Sequence, residues 1–464
     1  MAWGSGCVLF REHWMSRRRV LFITSDTIGV RMAGPGIRFW ELGRVLSRHF
    51  DVTLAVPPFL RTPSQTIELD FPARARVCRN TAELRGLVRE ADVIVTQGAV
   101  VLMCPFLSRL RKPLIFDSYD PFLLASLHPV VDANMDERLT IAEKYRVAHL
   151  ISLRAADFVL CASERQRDYF LGMLSALGRV NPHNHDEDPF LRRLMAVVPY
   201  GLPEEPPRQR TKVLKGVHPK IAAEDRVVLW GGGIWNWLDA RTAVRAMARV
   251  VKRRDDVRLF FMGTVRPNPS VAQTSAVDET IALSRRLDLY DRFVFFHDWV
   301  PYAERENYLL EADIGLSLHR DALETRFAFR TRLLDYLWAE LPIVTTEGDV
   351  LSEKVSRCEL GRVVAPGDDE AVADAIVTLL ETPELKDTYR PRFARLTGDY
   401  RWDAVAEPLV KFCHEPRLAP DKDFLQTLPH PLASGRGRLV LKEMWTALKE
   451  SSIAGWLRSR SGLG

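Results

Sequence analysis

The chain has 464 residues, of which 47% are hydrophobic and 27% are charged, a composition that excludes an intrinsically disordered protein. This length suffices for roughly two or three domains of about 100 to 200 residues each, and it excludes a single small module. The 65 basic and 60 acidic residues leave a net charge of +5, which excludes a nucleic-acid-binding protein defined by its bulk charge.

The cysteines and the apolar runs bear on where the protein is found. The six cysteines lie far apart, without the short paired spacing of a zinc site or the density of a secreted disulfide scaffold. No run reaches the roughly 18 apolar residues of a membrane span, and the amino-terminal segment lacks the continuous apolar core of a signal peptide. We therefore expect a protein of the cytoplasm that is neither exported nor membrane-spanning.

Short runs of β-branched and aromatic residues recur along the chain, each followed by a longer stretch with helical spacing. In the first half these runs are 19–24, 52–56, 93–96, 114–117, 158–162 and 195–199. In the second half they are 226–230, 257–262, 293–296, 314–318, 342–345 and 362–364. This alternation predicts α/β units with parallel strands, arranged as two similar halves.

Glycine-rich turns follow the first predicted strand of each half. Gly34 and Gly36 come after the strand at 19–24, and Gly232 and Gly233 come after the strand at 226–230. Glycine lets backbone N–H groups approach a ligand, and the helix that follows presents partial positive charge to an anion. Each turn is therefore a candidate phosphate site, although a tight turn that needs glycine for its backbone conformation explains the pattern equally well.

Three further segments complete the predicted organisation. The polar run 181–189 is interpreted as an exposed loop, whose His183 and His185 are a weaker candidate for metal binding. Prolines and charges at 200–220 predict a linker between the halves. A helix is predicted at 367–380, and another at 400–413 that packs back on the first half.

Residues 318–349 carry the most informative pattern, between the fourth and fifth strands of the second half. Arg330, Thr331 and Arg332 are predicted in the first turn of a helix, where free N–H groups and two guanidiniums suit a diphosphate. Asp335, one turn later, suits the vicinal hydroxyls of a ribose. The alternative is an ion pair between Arg332 and Asp335 on the helix surface.

An ordered set of motifs resembles the family 4 (group 1) retaining glycosyltransferases over nearly the whole chain. The motifs are "AGPGIR", "ASERQRDYFLG", "VPYGLP", and "EADIGLSL…RTRLLDYLWAELPIVTTEGD…LGRVVAPGDDEAVADAI". The resemblance implies the GT-B fold, in which two Rossmann-like doubly wound parallel sheets face a cleft. It implies an acceptor domain at 1–205, a nucleotide-sugar donor domain at 206–394, a crossing helix at about 395–415 that completes the first domain, and a tail at 415–464.

The paired acidic motif of that family matches this chain in part. The family places two carboxylates eight positions apart, the second for the donor ribose and the first for the transferred sugar. Asp335 matches the second, but Phe327 stands at the place of the first, and Glu324 is the nearest candidate to replace it.

Two other family features are also altered. The acceptor-side histidine that precedes an aspartate is Tyr119 here, followed by Asp120, so Asp120 and Glu324 are the catalytic candidates. Trp235 and Asn236 stand where a lysine for the diphosphate is expected. Arg330 and Arg332 are then the substitutes.

The resemblance implies transfer of a sugar from a nucleoside diphosphate sugar to an acceptor hydroxyl with retention, in cell-surface polysaccharide or glycoconjugate synthesis. The acceptor would be a glycan, a lipid-linked molecule or a small molecule, and neither a metal nor a cofactor is required. The alternatives are a non-catalytic nucleotide-sugar-binding partner of a glycosyltransferase complex, an epimerase or phosphorylase, and a dehydrogenase. The absence of G-x-G-x-x-G after either first strand counts against a dehydrogenase.

The carboxy-terminal tail combines basic and apolar residues. The last thirty residues hold six basic and two acidic side chains, and Leu441, Trp445 and Leu448 recur at helical spacing among them. This pattern predicts contact with the inner face of a membrane, with a helix packed on the protein body as the alternative.

Overall fold

The computed structural model describes residues 17–30, 32–60, 67–128, 134–265 and 275–428. No helix within these ranges is both long and apolar enough to cross a membrane. The predicted membrane-contacting segment at 435–464 lies outside the described residues.

The first sheet contains seven parallel strands in the order β3-β2-β1-β4-β5-β6-β7. The strands are β1 (Arg19–Ile23), β2 (Asp51–Val56), β3 (Arg74–Val77), β4 (Val93–Gln97), β5 (Leu114–Asp117), β6 (Phe158–Cys161) and β7 (Met195–Val197). The helices of this half are α1 (Gly34–Ser47), α2 (Thr81–Glu90), α3 (Val100–Met103), α4 (Phe122–Ala125), α5 (Met135–Ala155), α6 (Glu164–Ala176) and α7 (Pro182–Glu187). The strand order reverses between β1 and β4.

The second sheet contains six parallel strands in the order β10-β9-β8-β11-β12-β13. The strands are β8 (Arg226–Gly233), β9 (Val257–Gly263), β10 (Val294–Phe296), β11 (Ile314–Ser317), β12 (Ile343–Thr346) and β13 (Gly361–Val364). The helices are α8 (Ala240–Val250), α9 (Ser275–Arg286), α10 (Arg305–Glu311), α11 (Leu323–Phe327), α12 (Thr331–Trp338), α13 (Val350–Arg357), α14 (Asp369–Leu380) and α15 (Leu385–Thr397). The prediction of two doubly wound parallel sheets is confirmed, and each predicted apolar run forms a strand.

Two local expectations differ from the structure. Strand β3 was not expected, because it is a sheet edge with an exposed, charged sequence and lacks the apolar run that marks a buried strand. The segment expected to be an exposed loop contains α7, which Asn181 caps by accepting from the Asn184 amide, with Pro182 at its first position. Both residues are ordinary helix-start signals, which the polar composition concealed.

Arg38 joins the motif "AGPGIR" to the end of β5 and to the motif "VPYGLP". Its guanidinium makes a bidentate pair with Asp117 at 2.7 and 2.9 Å, and both side chains are completely buried. It also donates to the carbonyl oxygens of Val198 and Pro199 at 2.9 and 2.8 Å. The arginine of "AGPGIR" therefore binds the end of β5 and the segment after β7, which explains this motif by structure rather than by ligand binding.

Helix α12 lies unusually close to the second sheet. A Cβ added at Gly315 in β11 would overlap the ring of Tyr336. The Tyr336 hydroxyl donates toward the carbonyl oxygens of Leu229 and Leu316 and accepts from the Gly231 amide at 2.8 Å. This contact fixes α12 against β8 and β11.

The carboxy-terminal segment returns to the first domain. It forms α16 (Trp402–Val405), α17 (Glu407–His414) and α18 (Lys422–Thr427), so the helix expected at 400–413 is interrupted at Ala406. The Phe412 ring stacks on Phe158 of β6 at 4.5 Å. Asp421 makes a buried bidentate pair with Arg179 at 2.9 and 3.0 Å. The part of the expected tail up to residue 428 is thus held against the first sheet.

Candidate functional site

The strand order reverses at one point in each of the two sheets. In doubly wound sheets, ligands bind outside the carboxyl ends of the strands at such a point. In the second sheet this point lies between β8, which ends at Gly233, and β11. Gly232 has φ = +74°, and a Cβ built there would meet no atom within 4 Å, so its backbone borders open space. Gly232 and Gly233 belong to the end of β8, not to a turn after it.

Arg332 lies against this end of β8. Its Nη2 donates to the Gly233 carbonyl oxygen at 2.9 Å, and its guanidinium carbon is 4.8 Å from the centre of the Trp230 ring. Its Nη1 is buried and has no hydrogen-bond partner in the described parts of the chain. Burial lowers the pKa of Arg332 to about 10, so the side chain keeps its charge at neutral pH. Arg332 is therefore a cation that lies where the strand order of the second sheet reverses, and its Nη1 can still donate hydrogen bonds to a ligand.

Arg330, the other predicted diphosphate ligand, is already paired. Its Nη1 and Nη2 donate to the two carboxylate oxygens of Glu324 at 3.0 and 2.6 Å. The side chains of Arg330 and Glu324 are 6% and 3% exposed. The positive charge of Arg330 is thus compensated by Glu324, and the negative charge of Glu324 is compensated by Arg330.

Thr331 is the first residue of α12, and Arg330 precedes it as the N-cap without a side-chain cap hydrogen bond. The first amides of α12 therefore have N–H groups without an intrahelical or side-chain cap partner. Asp335 is not paired with Arg332. Instead it accepts from Arg305 Nε at 3.0 Å, so the alternative of a helix-surface pair between Arg332 and Asp335 is wrong.

The first-domain glycines serve close packing. A Cβ at Gly36 would overlap the carbonyl oxygen of Thr27, and a Cβ at Gly34 would lie 3.1 Å from the Tyr119 hydroxyl. Helix α1 can begin against this loop and against Tyr119 only because both positions lack a side chain. The amides at the beginning of α1 are thereby held next to the end of β5.

Asp120 follows β5 and interacts electrostatically with both members of the Glu324–Arg330 pair of the second domain. Burial, and after it the negative charge of Glu324, raises the pKa of Asp120 from its ordinary 3.8 to about 7, while Arg330 acts in the opposite direction. The two predicted catalytic carboxylates, from different domains, are therefore brought together. Asp120 changes its charge near neutral pH.

Phe327, at the place of the missing carboxylate, contacts the first domain. Its ring centre is 5.0 Å from that of Tyr169, and its carbonyl oxygen accepts from Gln166 Nε2 at 2.9 Å. The same Nε2 donates to the Tyr119 carbonyl oxygen at 2.9 Å. Gln166 and Tyr169 belong to the motif "ASERQRDYFLG", which thus joins the two domains.

The loop after β8 carries aromatic residues in place of the expected lysine. The rings of Trp235 and Trp237 stack at 5.1 Å with an interplanar angle of 9°. Asn236, between them, is buried. Asp239 caps α8 by accepting from the Thr242 amide at 3.1 Å, so the loop ends at the first turn of α8.

Two polar residues near the site were not predicted from the sequence. Arg305 holds Asp335, as described above. His319, completely buried after β11, lies 3.2 Å from Asp349 Oδ2 through its Nε2. A polar residue within two positions of a buried strand's carboxyl end could have indicated His319, whereas nothing in the local sequence marks Arg305.

Comparison with known proteins gives matches of two kinds. Residues 225–382, which hold β8–β13, match the family model described as "Glycosyl transferases group 1". A phosphatidyl-myo-inositol mannosyltransferase of Mycobacterium leprae (strain TN) is 30% identical over 84 residues, 18% of this chain and 22% of that protein. The chain thus matches only about a fifth of the length of this curated relative.

Solved structures resemble almost the whole chain. Sucrose-phosphate synthase (tll1590) from Thermosynechococcus elongatus has a TM-score of 0.57 at 15% identity, over 86% of this chain and 99% of that one. Anabaena Alr3699/HepE in complex with UDP-glucose has a TM-score of 0.59 at 15% identity, again over 86% and 99%. These likenesses confirm the predicted GT-B architecture, and the family match confirms the predicted resemblance over the second domain.

Proposed function

We propose that this chain is a retaining glycosyltransferase that moves a sugar from a nucleoside diphosphate sugar to an acceptor hydroxyl. The observation that carries the proposal is Arg332. It supplies a cation that lacks a carboxylate partner among the described residues, beside the first amides of α12 and at the strand-order reversal of the matched domain. Such an arrangement neutralises the charge that develops on a departing diphosphate.

On the donor side, the diphosphate is assigned to Arg332, to the backbone of Gly232 and Gly233 and to the amides at Thr331. Asp335 is assigned to the ribose. Because Arg330 is paired with Glu324, its proposed part is to hold that carboxylate in place beside the transferred sugar, not to contact the diphosphate. The aromatic loop around Asn236 borders the same end of β8.

On the acceptor side, Asp120 is proposed to accept the proton of the attacking hydroxyl. The substrates of similar proteins suggest which compounds to test first. One solved neighbour was determined with UDP-glucose. The curated relative is a mannosyltransferase named for a phosphatidyl-myo-inositol acceptor. We therefore propose UDP-glucose and a nucleotide-activated mannose as first donors, and a lipid-linked or soluble glycan acceptor in glycoconjugate synthesis.

The direct test measures whether the protein cleaves a nucleotide sugar. A thermal-shift screen of nucleoside diphosphates first identifies the base, since a ligand of the folded state raises apparent stability. Release of the nucleoside diphosphate from the corresponding sugar donor is then followed with and without acceptors. Binding without any release would instead favour the alternative of a non-catalytic nucleotide-sugar-binding partner, which the replacement of a carboxylate by Phe327 motivates.

We expect turnover to continue in excess chelator. Arg332 and the first amides of α12 supply positive charge that a divalent metal provides in other transferases. Within the described ranges, no group of three or more His, Cys, Asp or Glu side chains is arranged to hold a metal ion. The rate with chelator is compared with the rate after magnesium or manganese is added back; activity that appears only after metal addition contradicts this expectation.

The rate of transfer is expected to rise with pH through about 7. Asp120 must be ionised to accept a proton, and its pKa is raised to about 7. The stability of the fold should move in the opposite direction. The folded carboxyl keeps its proton to a higher pH than the unfolded one, so its contribution to stability falls as pH rises from 3.8 toward about 7.

Paired pH profiles of kcat/KM and of thermal stability check this prediction. In Asp120→Asn, transfer should fall and the rising limb near pH 7 should disappear, with folding retained. A pH profile of Asp120→Asn that keeps this limb would assign the ionisation to another group.

We also propose a cytoplasmic location with contact between the tail and an anionic membrane surface. This proposal rests on the sequence of residues 435–464 alone. Flotation with anionic liposomes of the full chain and of a chain ending at residue 434 tests it, and equal, negligible binding by both would refute it.

A further inference from the structure

Asp335 is held at one of its two carboxylate oxygens. Arg305 Nε donates to Oδ1 at 3.0 Å, and the Asp335 side chain is 35% exposed while that of Arg305 is 11% exposed. Oδ2 accepts no hydrogen bond from the described residues. One oxygen is thus fixed by the protein, and the other remains available to hydroxyl donors from outside.

Arg305 is itself fixed on several sides. Its Nη1 donates to the Tyr302 carbonyl oxygen at 2.8 Å. Its guanidinium carbon lies 3.7 Å from the centre of the Tyr302 ring and 4.5 Å from the Trp338 ring, so it is sandwiched between two aromatic faces. These contacts leave the guanidinium little freedom to rotate.

The support of Arg305 extends into the first domain and the linker. The Tyr302 side chain interacts electrostatically with the carboxyl group of Glu41 in α1. Trp338 Nε1 donates to the Glu205 carbonyl oxygen at 2.8 Å. The orientation of the Asp335 carboxylate therefore depends on contacts with α1, with the backbone of the linker and with the turn before α10.

We propose that Arg305 is a positioning residue for recognition of the donor ribose. By holding Oδ1, it turns Oδ2 of Asp335 toward the vicinal hydroxyls, so that the site distinguishes a ribose from a deoxyribose. The inference rests on the assignment of Asp335 to the ribose in the proposed function. Without Arg305, the carboxylate would rotate freely and lose this selectivity.

The test compares affinities for a nucleoside diphosphate and for its 2′-deoxy and 3′-deoxy analogues, by calorimetric titration of the full chain. UDP is the first probe, followed by the other common nucleoside diphosphates. The wild-type protein is expected to prefer the ribose form by about tenfold, the effect of one hydrogen bond to a charged group. In Arg305→Met this ratio should fall close to one, and in Arg305→Lys, which restores one donor, it should be intermediate.

Arg254→Met is the matched control. Arg254 makes a bidentate pair with Asp256 at 2.7 and 3.0 Å in the same domain, and Asp256 is about as exposed as Asp335, but the pair lies at the amino end of β9. Its loss should leave the ribose preference unchanged. If Arg305→Met does not fold, the ribose preference of Arg305→Lys alone decides the test.

Three results would overturn the inference, and they differ from one another. A wild-type ribose preference in both Arg305 variants removes the positioning role alone. Equal wild-type affinity for ribose and deoxyribose forms removes the assignment of Asp335 as well. Failure of the wild-type protein to bind any nucleoside diphosphate removes the proposed function itself.

Discussion

Replacing Arg332 with alanine is expected to weaken nucleoside diphosphate binding by about tenfold to a hundredfold, because a charge-assisted contact to the diphosphate is lost. Arg332 carries no compensating carboxylate in the described structure, and its buried Nη1 has spare donor capacity. Transfer should slow at least as much, since the diphosphate gains charge as it departs. Stability should change little, because the side chain makes one hydrogen bond to the protein, at Gly233.

Calorimetric titration of the folded variant measures this effect directly. Arg326→Ala is the matched control, since Arg326 is an exposed arginine of α11 close in sequence to the site and should leave affinity unchanged. Asp335→Asn should be milder than Arg332→Ala, because the amide oxygen still accepts from a hydroxyl. Unchanged affinity in Arg332→Ala would remove Arg332 from the donor site.

Replacing Arg330 with methionine is expected to lower the free energy of unfolding by about 3–5 kcal/mol, because Glu324 would remain buried without its partner. Both side chains are almost fully buried and joined by two hydrogen bonds. The same change also removes a cation that favours ionised Asp120, so the pKa of Asp120 should rise further. Activity near neutral pH should therefore fall for two reasons that can be measured separately: less of the protein is folded, and less of Asp120 is ionised.

Chemical denaturation checks the stability effect, and the double variant Arg330→Met/Glu324→Leu should recover much of the loss because no charge is left buried. Arg390→Met removes an exposed pair with Glu340 in the same domain and should cost about 1 kcal/mol or less. If Arg330→Met instead retained its stability and lost donor affinity, Arg330 would belong to the diphosphate site, as its place in the motif first indicated.

Much of the fold follows from local sequence patterns. Buried parallel strands are short, apolar and β-branched, so runs such as 93–96 and 314–318 indicate strands without any knowledge of their neighbours. The beginning of α12 at Thr331 was likewise predictable, and so was the end of the second sheet at which it lies. Edge strand β3 and helix α7 were not predicted, because β3 has no apolar run and α7 is polar throughout.

The partners of the charged side chains depend on tertiary structure. Arg330 and Arg332 are two positions apart and chemically identical, yet one is neutralised by Glu324 and the other has no carboxylate partner in the described chain. Arg330 is the N-cap with a non-helical backbone and Arg332 lies within α12, so the two side chains leave the backbone in different directions and meet different surroundings.

The contacts across the site have the same origin. Asp335 meets Arg305, the first residue of α10, and Gln166 reaches the Phe327 carbonyl oxygen from the other domain. Local periodicity specifies which elements form and which face of each is buried. Which charges remain available for a ligand is decided only when segments distant in sequence are packed against one another and some of those charges neutralise each other.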